Sequence, residues 1–426
     1  MSSRMEIRKM QGRREMRAFH TFPWKIYAND PLWVAPLLPE RMRVTDPERG
    51  SFFTRGEAEC FAAFRHGEIV GTICVALDGN TVEKIGRREA IFGFFESVND
   101  VAVAGALFEH ADAWARERGL ESLHGPFNLD YEDGYGILTD GRDRKPAILC
   151  GHTPPYYVDL MEALGFEPAR PGNIALAVDL ASRPPQLERL SRAAELARRR
   201  GRFRLRGADI KNWRDEAVRV HYLLNHSLEE SGEEQIPWPI EAVESLIEPV
   251  LKIADPELVL LVDRPARVAG AEVGSAERHA RAAGGARGGL GGAGDGLGGS
   301  AGGPPVNGDG SITVGWFAAI PNMNEVIEHL NGLRFPWDYL RIPFAYLRRP
   351  KCLAAKSLLV LPEYHSSGVS ALLFDELARR AAAKRYSWID LSLTSEANPQ
   401  TPVIAERAGA VRYKRYQVYR RAVSAG

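Results

Sequence analysis

The spacing of apolar positions divides the chain into alternating strands and helices. Short apolar runs at Glu6–Met10, Cys60–Arg65, Ile69–Leu77 and Ala90–Glu96 read as strands, the middle two joined by the hairpin turn His66-Gly67-Glu68. A helix is expected from about Arg13 to Tyr27. Another, Val101–Arg118, has an apolar face, Asn99 or Asp100 as its cap and Gly119 as its stop. Ser122–Gly125 reads as a strand, Tyr156–Leu164 as a short helix and Ile174–Val178 as a closing strand. The order then returns: helix Trp213–Glu230; strands Leu258–Val262, Ile312–Ala319 and Lys356–Val360; helix Gly368–Arg385; strand Trp388–Leu393; short helix Val403–Ala408; strand Tyr413–Arg420.

Residue-level echoes make this an internal duplication. Leu107-Phe108-Glu109 and Leu373-Phe374-Asp375 occupy the same place in the two long helices, and Glu162-Ala163-Leu164-Gly165 is echoed by Glu406-Arg407-Ala408-Gly409. A chain of 426 residues also exceeds one ordinary core. Two domains are expected, 1–182 and 183–426. Residues 271–311 are rich in Gly and Ala, carry little to bury, and read as a flexible insertion within a hairpin of the second domain. The stretch Asn322–Arg349 mixes aromatics with arginines at helical spacing and reads as a lid or inter-domain helix with its aromatics turned inward, in preference to the alternative of a membrane-surface helix.

Charge adds one asymmetry. The chain has 55 basic and 55 acidic residues, so bulk charge gives no reason to expect DNA as a partner. Residues 1–180 carry 21 basic and 27 acidic side chains, leaving 34 and 28 for residues 181–426, and a basic second half suits a polyanionic ligand. The four cysteines form no CxxC, no zinc spacing is present, and no metal is expected. Met1–Phe19 has no apolar core and no apolar run reaches 18 residues, so neither a signal peptide nor a membrane span is expected, and the placement is cytoplasmic.

The strongest candidate for chemistry is Lys356–Arg379, where an apolar strand meets a small-residue turn and a long helix. A helix N-terminus offers unpaired N–H groups and partial positive charge, and a pyrophosphate can rest on them. Gly368 allows close backbone approach, and Ser366, Ser367 and Ser370 can add hydroxyl donors. General bases near this loop are Glu363 and Glu396, and Tyr413 and Tyr416 are candidate acids. In the first half, Glu96, Asn128, Asp130, Tyr156 and Tyr157 are polar and aromatic candidates for holding an amine substrate.

The run VLPEYHSSGVSALLFDEL, Val360–Leu377, resembles motif A of the GNAT N-acetyltransferases, keeping the central glycine but not the flanking pattern. After the next strand, Asn398, Glu406–Ala410 and the terminal KRYQVYRR resemble that family's Asn-bearing loop, short helix and last strand. The chain as a whole resembles an uncharacterised bacterial group of tandem GNAT-like proteins. The resemblance implies an α/β fold of two GNAT-like domains, the first degenerate, since Phe94–Asp100 lacks the loop glycine. It implies acetyl-CoA or another acyl-CoA as co-substrate, bound at Leu359, Val360, Leu361, His365, Ser366, Ser367, Gly368, Val369, Ser370 and Asn398. The acyl carbonyl would lie near the Val360 amide, and the basic Arg412–Arg421 would reach the 3′-phosphate. The family's usual acidic tyrosine is replaced by Ala405, which leaves Tyr416 or Ser370 to protonate the thiolate. The expected activity is acyl transfer, acetyl in preference to other acyl groups, to the nitrogen of an amine acceptor. The alternatives are an aminoacyl transferase of the peptidoglycan-bridge kind, reading tRNA along Arg334–Arg349, and a non-catalytic CoA-binding module.

Overall fold

The computed structural model describes residues 5–79, 86–129, 134–182, 184–201, 203–227, 238–251, 253–265, 303–398 and 401–424. Residues 271–302 of the Gly/Ala-rich insertion and Asp130 lie outside them.

The described residues form two mixed sheets flanked by helices. The first sheet contains β1 (Glu6–Lys9), β2 (Gly56–Arg65), β3 (Glu68–Asp78), β4 (Glu89–Ser97) and β5 (Ser122–Gly125). The second contains β9 (Arg204–Gly207), β10 (Val259–Pro265), β11 (Ser311–Pro321), β12 (Cys352–Val360) and β13 (Trp388–Ser395). The β2–β3 hairpin turns on His66 and Gly67, both at positive φ, which matches the right-handed twist of the paired strands. In each half a long helix crosses back over the sheet. Val101–Glu117 buries Val103, Leu107, Phe108 and Trp114, and Val369–Ala383 buries Leu372, Leu373, Phe374 and Leu377.

The halves are not separable at residue 182. β8 (Asn173–Asp179) crosses from the first half into the second sheet, between β13 and β14 (Val411–Gln417). The last strand, β15 (Tyr419–Ala422), returns to the first sheet between β5 and β7 (Glu167–Pro168). β6 (Ile137–Asp140) also belongs to the second sheet, on the edge beside β14. Each half therefore completes its partner's sheet. The crossings are tied to each other: the Ala169 amide donates to Val418 O (2.9 Å) and Gln417 Nε2 to Arg170 O (2.8 Å). This exchange corrects the linear domain division, because strand periodicity says which residues pair but not in which sheet.

Two helices absent from the sequence reading matter below. Pro185–Gly201 covers helix Val369–Ala383, and Ile240–Val250 packs with the expected helix Trp213–His226 across the second sheet. Within Asn322–Arg349 the aromatics do not turn inward, since Trp337, Phe344 and Tyr346 are exposed.

Candidate active site

In the second half, the parallel pair β12–β13 is joined only over Cys352–Ala354 and Trp388–Asp390, after which the strands splay. Lys356 is skipped in the register between β12 and β11, where Ser357 faces Ala318 and Ala355 faces Ala319. A bulge of this kind re-aims the strand's polar groups. Beyond the splay, helix Val369–Ala383 starts at Gly368 with no side-chain cap. Open strands and an uncapped helix N-terminus form the cradle that a thioester and a pyrophosphate require. Arg264 stacks 5.3 Å over Tyr364 in the same loop and places a cation beside it.

Several sequence assignments take other roles here. His365 Nε2 lies 2.9 Å from Val360 O, and Leu359, Val360 and Leu361 belong to the core. The cavity described below therefore meets β12 at Lys356 and Ser357, upstream of Val360. Ser367 Oγ donates to Tyr364 O (2.6 Å), Ser366 is exposed, Val369 is buried and Ser370 half-buried. Gly368 has φ of +86°, and a Cβ there would stand 2.6 Å from the Ala197 methyl, so its glycine is required by helix packing. Asn398 Oδ1 accepts from the Thr401 amide and starts the short helix. Glu396 is clamped by Arg415 at 2.9–3.1 Å, and Glu363 is exposed, so neither lines the cavity. Tyr416 is fully buried one layer behind the wall and donates to Gly151 O (2.9 Å), while Tyr413 donates to buried Asp390 (2.7 Å). The basic C-terminus does not face the loop, because Arg420 pairs with Glu89 and Arg421 with Asp112. Ala405 is packed in the core, with no room for a tyrosine ring.

Below helices Trp213–His226 and Ile240–Val250 lies a cavity of about 370 Å³. Trp213, Val220, Ile247, Leu261, Trp316 and Ile320 make it predominantly apolar, and Lys356, Ser357, Ser392 and Leu393 carry it to the splay. Glu216 in its wall is neutralised by Arg206 and Arg219.

The first half keeps the architecture but closes the cradle. The Phe127 amide donates to Phe92 O (2.8 Å) and Asn128 Oδ1 accepts from the Phe94 amide (2.7 Å), so the chain after β5 stays bonded to β4. A Cβ on Gly93 would sit 1.7 Å from Phe127 O. Asp100 caps its own helix by accepting from the Ala102 amide and pairs with Arg65, so a carboxylate occupies the place of a phosphate.

Over β4 of this half is a second cavity, about 490 Å³, with more polar walls. Of the proposed amine-binding residues, Glu96 and Asn128 line this cavity, while Tyr156 and Tyr157 stand behind Glu96 and Ser97. Tyr157 donates to Glu96 Oε2 (2.6 Å), and Tyr156 donates to Ser97 O (2.7 Å). Burial pushes the Glu96 carboxyl up to about 7, against the tyrosine hydrogen bonds. Between the usual carboxylate range and pH 7 the folded protein thus holds a proton that the unfolded chain has released, so this contribution to stability is lost as pH rises. Glu96→Gln is expected to melt higher than the parent, by an amount that opens between about pH 5 and 8 and reaches on the order of 2 kcal/mol. A pH-independent difference in melting temperature would refute the assignment.

The segment Pro146–Thr153 stands between the cavities, and Leu149 and Cys150 line both. It is anchored from both halves. Lys356 Nζ donates to Ile148 O (2.8 Å), Asn322 Oδ1 accepts from the Ile148 amide (2.9 Å), and Tyr27 donates to His152 O (3.0 Å). Cys150 is no nucleophile here, since burial pushes its thiol up to about 12. His152 was not singled out from the sequence. Its Nε2 lies 2.7 Å from Asp30 Oδ2, and its Nδ1 is buried with no hydrogen-bond partner among the described residues. Burial works against the Asp30 carboxylate, but hydrogen bonds from His152 and the Leu32 amide hold it below its usual range. An ionised Asp30 fixes the proton on Nε2 and leaves the Nδ1 lone pair available. Burial also lowers the imidazole's own pKa, more than Asp30 raises it, so the ring is neutral near pH 7. Asp30 and His152 are 122 positions apart, and no local pattern announces their pairing.

This arrangement has counterparts among solved structures. A tandem GNAT protein from the clavulanic acid biosynthesis pathway superposes with a TM-score of 0.55 at 11% identity, covering 99% of this chain and 100% of that one. The chain has the tandem GNAT fold. A GCN5-related N-acetyltransferase from Sphaerobacter thermophilus matches with a TM-score of 0.51 at 12% identity, over 99% of this chain and 96% of that one. By sequence, the chain is 26% identical over 421 residues to a bacterial ceramide synthase of Caulobacter vibrioides, covering 96% of this chain and 95% of the relative. It is 22% identical over 429 residues to protein YghO of Escherichia coli K12, covering 98% and 95%. No family model matches the chain. Among its described residues, no helix is long and apolar enough to cross a membrane. In GNAT terms, the open cradle belongs to the second half, and the first half contributes the wall and the His152–Asp30 pair.

Proposed function

We propose that this GNAT-fold protein transfers an acyl group from an acyl-CoA to the amine of a long-chain lipid. The observation that carries the reading is the apolar cavity running from the β12–β13 splay beneath helices Trp213–His226 and Ile240–Val250. An acetyl group and a small polar amine leave such a space unused, whereas an alkyl chain fills it. The relative named a ceramide synthase, aligned over nearly the whole length of both chains, supports a lipid acceptor.

In this reading the thioester lies at Lys356–Ser357, with the phosphates on the amides at the start of helix Val369–Ala383 beside Arg264. The amine sits where both cavities share Leu149 and Cys150. Its nitrogen attacks the thioester carbonyl, the C–S bond breaks as the amide forms, and the amine's proton passes to His152 Nδ1. Asp30 stabilises the imidazolium produced. Coenzyme A leaves as its thiolate and takes a proton from solvent.

The test is a matrix of acetyl-, octanoyl- and palmitoyl-CoA against a long-chain amino alcohol, glucosamine and a lysine peptide, with products read by mass spectrometry. Amide should form on the long-chain amine. Preferential acetylation of the peptide or sugar would refute the lipid reading, and no product in any combination would favour a non-catalytic module.

A further inference from the structure

The segment after β11 forms an outward-facing platform. Within residues 337–347, Trp337, Tyr339, Leu340, Phe344, Tyr346 and Leu347 are each between 47% and 79% exposed. Isolated surface apolar residues need no explanation, but six large ones within eleven positions do.

The platform is held rigidly beneath. Val326, Leu330 and Ala345 pack together with Leu37 from the first half. Trp24 Nε1 donates to Asn331 Oδ1 (3.0 Å), and buried Asp338 accepts from the Phe335 amide (2.9 Å). The exposed side chains are therefore presented by a fixed scaffold. Charge is distributed with equal consistency. From Leu333 to Lys351 the chain has five cations, Arg334, Arg341, Arg348, Arg349 and Lys351, and one acid, the buried Asp338. Aromatic and aliphatic tips interleaved with arginines are the composition that settles at a headgroup layer. A two-fold contact between copies would instead bring like charges together.

We infer that this platform docks the protein onto the surface of an anionic bilayer. Leu37 and Ile327, which pack under the platform, also line the first-half cavity, so docking would bring that cavity's rim to the membrane surface. The inference does not depend on the acyl-transfer reading, because docking is measurable without substrate or turnover.

The full chain is sedimented with vesicles of equal parts phosphatidylglycerol and phosphatidylcholine, and with phosphatidylcholine alone. Two variants are compared: Leu340→Asp/Phe344→Ser/Leu347→Asp and Arg348→Gln/Arg349→Gln. Wild type should sediment with the anionic vesicles only. The apolar variant should lose roughly tenfold or more in binding, and the arginine variant about fivefold per charge removed. Both should keep the parental melting temperature, because the altered side chains are exposed. Equal sedimentation of wild type and variants overturns the proposal. So does wild type that ignores vesicles and elutes as a dimer which the apolar variant dissociates, since the occupant is then a second copy.

Discussion

Replacing His152 by Gln is expected to lower turnover by ~10²–10⁴-fold, the range for losing a positioned proton acceptor, with little change in the Michaelis constant for acyl-CoA. The imidazole touches neither the β12–β13 splay nor the start of helix Val369–Ala383, so donor binding should persist. Asp30→Asn should fall in the same direction by less, since it keeps a partner for Nε2 but removes the charge that stabilises the imidazolium. The wild-type rate should decline on the acid side below pH 6.5, because burial lowers the pKa of His152, and that limb should be missing from the residual activity of His152→Gln. Two controls limit the structural explanation. Tyr27 bonds to the backbone oxygen of residue 152, which the substitution retains, and near-ultraviolet circular dichroism should be unchanged. Full turnover in a folded His152→Gln protein would move the proton to solvent and leave the dyad a structural tie between two loops of the first half.

The fold was legible where its causes are local. Apolar periodicity placed nearly every strand of both halves, and the glycines at 67 and 119 marked a turn and a stop because positive φ leaves few other choices. The repeat was legible because two similar βα units have similar spacing. The crossing of β8 and β15 was not, since an apolar strand carries no label for the sheet it joins. The start of the long helices was read in both halves, and the reading of the first as unable to take a phosphate agrees with Asp100 capping it. Gly368 was assigned to ligand approach, and the structure adds a second constraint on it from Ala197, on a helix that the sequence reading left unassigned. The aromatics at 337–347 were expected inside, because periodicity cannot separate a face awaiting a protein core from one awaiting another partner. The carboxylates nearest the loop in sequence, Glu363 and Glu396, are not among the residues that line the cavity. The groups that the proposed mechanism uses for proton transfer, His152 and Asp30, depend on two distant loops of the first half meeting.

Val220→Trp is expected to shorten the chain that the enzyme accepts. Val220 is buried on helix Trp213–His226 and lines the apolar cavity that also reaches Lys356 and Ser357 at the splay. An indole there fills the middle of the cavity without reaching the reacting atoms. Each methylene kept out of an apolar site forfeits about 0.8 kcal/mol, so excluding roughly four costs ~3 kcal/mol, or about a hundredfold in kcat/KM. That loss should fall on long-chain substrates, while octanoyl transfer, or transfer to a short amine, proceeds near the parental rate. Running the acyl-CoA series at a fixed amine and then the amine series at a fixed acyl-CoA identifies the chain that the cavity holds, because only the occupant's series can show a length cut-off. Overpacking a helix that faces a void should cost less stability than the same change in a filled core, and a melting scan checks this. A uniform fall across every chain length would mean that the indole disturbs the splay, and unchanged profiles in both series would show that neither chain enters this cavity.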